Sequence, residues 1–116
     1  MKQYLAIFCG SSEALENYRK LPEAEQKASQ QRGMEAWMQW ALAHKGDIVN
    51  TGSPLGKTKK ISKKGIEDIR NELGAWCVVQ AESHEEAAKM FVDHPHFTIF
   101  PGDRVEVMEC LPIPRA

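Results

Sequence analysis

Gln3-Tyr4-Leu5-Ala6-Ile7-Phe8-Cys9 decides how the chain folds. Successive residues of a strand point to opposite faces, so Tyr4, Ala6 and Phe8 share one face and Leu5, Ile7 and Cys9 the other. Both sets are apolar, and a strand of that kind is expected to be covered on both sides. Gly10-Ser11-Ser12 ends it. Ala75-Trp76-Cys77-Val78-Val79-Gln80-Ala81 is the clearest further strand, dense in β-formers. Ile48 to Thr51 and Val105 to Leu111 read as two more. Lys57 to Ile61 reads as a short edge strand between the turn clusters Gly52-Ser53-Pro54-Leu55-Gly56 and Ser62-Lys63-Lys64-Gly65.

Two helices separate these strands. From Glu23 to about His44 the apolar spacing is helical, with Met34, Trp37, Met38 and Ala41 in one stripe and Trp40 and His44 beside it. Pro22 suits the helix start, Glu23 and Glu25 suit the positive end of its dipole, and Gly46 suits its stop. Ser83 followed by Glu86 forms a capping box for a second helix. Ala87, Ala88, Phe91 and Val92 give that helix its apolar face, and Pro95 is expected to end it at about His94. Residues 13–23 read as loop or one short turn, and residues 66–73 as irregular.

The order is strand, helix, strand with an edge hairpin, strand, helix, strand. That is the βαββαβ order of a ferredoxin-like α+β sandwich. Two helices cover only one face of a four-stranded sheet. The other apolar face calls for a second copy of the chain, a homodimer, because leaving several such side chains in water is costly at about 25 cal/mol per Å2.

At 116 residues the chain is expected to form a single domain, residues 1–116. A formal net charge of −1 argues against nucleic acid as a partner. No stretch approaches the roughly 20 apolar residues of a membrane span, and the N-terminal apolar run is too short for a signal peptide. Cys9, Cys77 and Cys110 are widely spaced and odd in number, so they read as reduced small hydrophobes of a cytoplasmic protein.

The chemistry concentrates in Asp93-His94-Pro95-His96-Phe97, with Phe100 just beyond. His94 reads either as an acid/base or ligand-contacting group or as a cap on the end of the second helix. His96, Phe97 and Trp37 are candidates for ligand contact. Arg104 opens the last strand, where it could hold a ligand carboxylate or pair with Asp103 or Glu106. A His-x-His pair alone does not make a metal site, and no metal or cofactor is expected. The lysines at 57, 59, 60, 63 and 64 could serve an anionic ligand or an acidic partner, but read better as protection of an edge strand against sheet-to-sheet pairing. Neither a phosphate-binding loop nor a nucleophile elbow is present.

Several of these stretches carry a resemblance. Gly74-Ala75-Trp76 leading into Val78-Val79, Ser83 with Glu85-Glu86-Ala87-Ala88, His94-Pro95-His96-Phe97, and Val105-Glu106-Val107-Met108 with Leu111-Pro112-Ile113 resemble the YCII-related, or DGPF-domain, family. The likeness covers nearly the whole chain, weakly over residues 10–30. The Asp-Gly-Pro-Phe signature is absent; Lys64-Gly65-Ile66-Glu67 stands nearest to it. The resemblance implies a dimeric α/β barrel with a cleft for a small aromatic or cyclic acid between sheet and first helix. It also implies a dyad of helix residue and loop residue, which falls here on Glu35 and His94. The expected function is cofactor-free acid/base chemistry at His94, oriented by Glu35, or simple binding of a small organic acid. The alternative is a non-enzymatic sensor or accessory subunit that assembles through its sheet.

Overall fold

The computed structural model describes residues 1–114. In chain order its elements are β1 (Lys2–Cys9), α1 (Ser12–Arg19), α2 (Glu23–Ala43), β2 (Ile48–Pro54), β3 (Thr58–Ser62), β4 (Gly65–Ile69), β5 (Leu73–Ala81), α3 (His84–Lys89), α4 (Pro95–Thr98) and β6 (Arg104–Glu109). Four strands form an antiparallel sheet in the order β2-β5-β1-β6. This is the ferredoxin-like arrangement that the element order predicts. The described chain forms no closed barrel. No helix in it is long and apolar enough to cross a membrane.

Register explains the core. Tyr4, Ala6 and Phe8 pair with Val79, Cys77 and Ala75 on one side, and Ala6 and Phe8 with Val107 and Val105 on the other. Directly paired residues share a face. Tyr4, Ala6, Phe8, Cys77 and Val79 are buried together with Ala87 and Phe91 beneath the helices. The reverse face carries Leu5 between Val78 and Met108, and Ile7 next to Trp76. Of these, Leu5, Ile7, Trp76 and Val78 are only half-buried and Met108 is exposed. Both faces of β1 are thus apolar, but only one is covered within the chain.

The helices depart from expectation in instructive ways. α1 is a two-turn helix where the sequence predicts loop. Ser11 caps it by accepting the Ala14 N–H at 3.2 Å, yet it buries no residue and so leaves no periodic apolar signal. α2 runs as predicted but turned about its axis. Ser29 and Gly33 are its buried residues, while Met34 and Met38 are 63% and 64% exposed. The reason is close approach at Gly33, where a Cβ would lie 2.5 Å from the Phe100 ring. Trp37 and Trp40 pack on the core cluster from the same side.

α3 starts at the predicted cap, with the Ser83 hydroxyl accepting the Glu86 N–H at 3.1 Å. It stops at Lys89, well before Pro95. Asp93 then takes a left-handed turn with φ 57°, and Pro95 begins the short helix α4 as its first residue. Proline fits there because the first helical N–H has no partner within the helix. The expected edge hairpin also differs. β3 pairs with β4, which sequence reading leaves irregular, in a sheet of its own. Its extensive contacts, among the described residues, are between its own two strands.

Candidate functional site

His94 sits at the centre of an aromatic knot. Its ring centroid lies 4.5 Å from those of both Trp37 and Trp40 and 5.0 Å from that of Phe8. It is 1% exposed. Its Nδ1 accepts the backbone N–H of His96 at 3.0 Å and caps α4, so in the neutral ring the proton is on Nε2. Among the described residues that Nε2 has no hydrogen-bond partner. Burial, reinforced by the neighbouring imidazoles of His96 and His44, lowers the pKa of His94 to about 3. It is a neutral side chain at physiological pH.

The Glu35–His94 pair implied by the resemblance is not formed. Glu35 is exposed on the outer side of α2, beside Arg32, Gln39 and Leu42. The expected helix-end role of His94 is also inverted, since it caps the beginning of α4 rather than the end of α3. A charged C-terminal cap would be raised in pKa and solvated, and His94 is neither.

His96 occupies different ground. Its Nε2 donates to the Cys9 carbonyl at 2.7 Å, so the neutral ring keeps its lone pair on Nδ1. Burial lowers its pKa; the Cys9 carbonyl and the Asp103 carboxylate act against that. His96 lines a cleft of about 570 Å3 between α2 and the β2–β5 edge. Trp37, Phe100, Met34 and Met38 supply its apolar wall, and residues 51–54 and 74–76 its floor. Gly52 lets the floor close: its φ is 65°, and a Cβ there would lie 1.8 Å from the Trp76 carbonyl oxygen. A mostly apolar concavity with one well-placed polar group has the character of a small-molecule site.

Phe97 and Arg104 lie elsewhere, together in a groove lined also by His84, Phe91 and Val107. Arg104 bonds Glu106 at 2.7 Å, Glu72 at 2.9 Å and Asp103 at 3.2 Å. Hydrogen bonds to Glu106 and Glu72 raise its pKa further, and with three carboxylates around it the charge of the guanidinium is already met. Of the predicted site residues, the cleft therefore gathers Trp37 and His96. His94 backs onto Trp37 from the core side. Phe100 and the Gly52 floor are the additions. The aromatic loop after Pro95 and the Gly-Ser-Pro turn were the sequence signals for these two.

His94 and His96 do not gather a third ligand; among the described residues no group of three or more histidine, cysteine or acidic side chains is placed to hold a metal. The Cys77 thiol is buried in the core and pushed up to about 11. It is a packing residue rather than a nucleophile.

No family model matches the chain, and no curated protein sequence matches it. Among solved structures it is similar to 5-chloro-2-hydroxyhydroquinone dehydrochlorinase from Burkholderia phenoliruptrix AC1100, in complex with 2,5-dihydroxybenzoquinone. The TM-score is 0.53 at 16% sequence identity, over 90% of this chain and 89% of that one. At that identity the likeness concerns the fold.

Proposed function

We propose that this chain binds a small planar organic molecule, aromatic or cyclic, in the cleft beneath α2, and moves a proton on it without a cofactor. The observation that carries this reading is the convergence of Trp37, Phe100 and His96 on one apolar cleft of about 570 Å3. His96 is the group that touches the ligand. It is half-buried, and its Nδ1 lone pair is free to accept a proton in the neutral ring. His94 is a positioning residue here: its Nδ1 holds the His96 backbone N–H, and its ring buttresses Trp37. The solved relative in fold carries a small cyclic ligand, which supports the size class.

The reading includes membership of the YCII-related family in a branch without its signature, a cytoplasmic setting, and a homodimer joined through the open sheet face into an α/β barrel. A second reading rests on that same face. Leu5, Ile7, Val78 and Met108 could seat a partner protein and make the chain a non-enzymatic sensor or accessory subunit. Two-dimensional NMR of the labelled protein against a library of small aromatic compounds tests the site. Ligands should shift the amides of Gly52, Ser53 and Ala75 and the Trp37 indole. Shifts confined to the Arg104 groove, or none, would sink the cleft reading.

A further inference from the structure

We infer that the cleft discriminates by charge: it accepts an uncharged planar molecule bearing a hydroxyl or N–H donor and turns away a carboxylate of the same shape. This rests on the reading of the cleft as a ligand site and narrows it, against the organic acid that the sequence suggests.

An anion taken into an apolar cleft must be met by a cation or by convergent N–H donors, or its desolvation goes uncompensated. Among the described residues no lysine or arginine lines the cleft. Arg104 is held by three carboxylates in the other groove. The hairpin lysines Lys57 and Lys59 face a separate hollow beside α1. At the turn of the floor the Gly52 N–H is already engaged with the Asn50 side chain at 2.9 Å, and Pro54 has no N–H to offer. Thr51 and Ser53 stand at the exposed rim, where water competes for their hydroxyls.

His96 sharpens the selection. Its one N–H is committed to the Cys9 carbonyl, so the ring offers a ligand only the Nδ1 lone pair. A lone pair accepts from a phenolic hydroxyl or an amide N–H, and it repels a carboxylate oxygen. Trp37 and Phe100 stack on a planar ring whatever its substituents, so orientation falls to polar contacts such as this bond.

Three matched probes test the inference on the unaltered protein: 4-methylphenol, 4-methylanisole and 4-hydroxybenzoate at pH 7.5, followed by NMR shifts of the cleft amides. The first is a neutral donor, the second lacks the donor, and the third adds a carboxylate. 4-Methylphenol should bind at least about tenfold more tightly than either of the others. In His96→Ala, and in His96→Gln as a milder replacement, its advantage over 4-methylanisole should shrink toward unity while apolar binding persists. Equal or tighter binding of 4-hydroxybenzoate would overturn the charge selection and leave the cleft standing as a site. Cleft amides unmoved by all three would overturn the site and the selection together.

Discussion

At the residue scale, two neutral imidazoles carry different loads. His94 is locked by one hydrogen bond and four surrounding rings, and its folded pKa falls to about 3 from an ordinary 6.5. The unfolded chain binds that proton more readily, so stability rises with pH across the window between those values. Above pH 6.5 the contribution is complete. Each unit of acidification below that removes up to about 1.4 kcal/mol, with His96 adding in the same direction. Thermal melts at pH 7.5, 6, 5 and 4 should fall progressively from pH 6.5 downward, and the His94 ring should stay neutral by NMR at pH 5. A melt flat down to pH 4 would contradict the burial. Phe8 is the other single residue on which the knot depends, since its ring meets Trp37, Phe91, His94 and His96. Phe8→Ala should destabilise by about 3–5 kcal/mol in chemical denaturation. Gly52→Ala should destabilise as well and distort the cleft floor, because its left-handed backbone and the 1.8 Å approach to the Trp76 carbonyl leave a Cβ no room.

At the element scale, what the sequence makes legible follows from what each element buries. β1 and β5 bury alternate residues along their length, so period and composition reveal them. The Ser83 cap is equally plain, because a short polar side chain before an acidic first turn has one local use. α1 buries nothing and α4 has four residues, so neither carries a period to be read. α2 has large apolar side chains on several sides, and periodicity could not say that Gly33 rather than Met34 faces inward; that depends on the ring of Phe100, far along the chain. The site suffers from the same non-locality: Trp37 and His96 could be singled out, but their meeting across the cleft depends on the path of α4. Glu35 was placed by likeness alone, and the turn of the helix points it outward. The β3–β4 hairpin provides the test at this scale. It is held by the cross-strand pairs Lys59–Asp68 at 2.8 Å and Lys60–Glu67 at 3.1 Å, with Ile61 and Ile66 exposed at its end. A lone two-stranded ribbon is marginal in water, and exposed ion pairs add little. Its amides should exchange with solvent far faster than those of β1 and β5 in native-state hydrogen exchange. Protection equal to that of the central strands would show that something covers the hairpin.

At the scale of the whole molecule, the shape itself argues for an absent neighbour. The chain measures 55 × 44 × 18 Å with a radius of gyration of 16.2 Å, where a compact domain of this length has about 13 Å. Part of the excess is the hairpin, and part is that only one side of the sheet is covered. The uncovered side runs from Val78 through Leu5 to Met108, with Ile7 and Trp76 in the next rank. Such a face is a hydrophobic patch in a monomer and a core layer in a two-fold pair, because a two-fold axis through it sets each apolar rank against its own copy. Lysine on the central rank would place charge at the middle of that layer, where it cannot reach water, while in a monomer the same lysine would lie on an open surface. Val78→Lys should therefore convert a dimer to a monomer in sedimentation at micromolar concentration and leave the fold intact by circular dichroism. If the unaltered chain already sediments as a monomer, the self-pairing fails, and the open face passes to a partner of another kind.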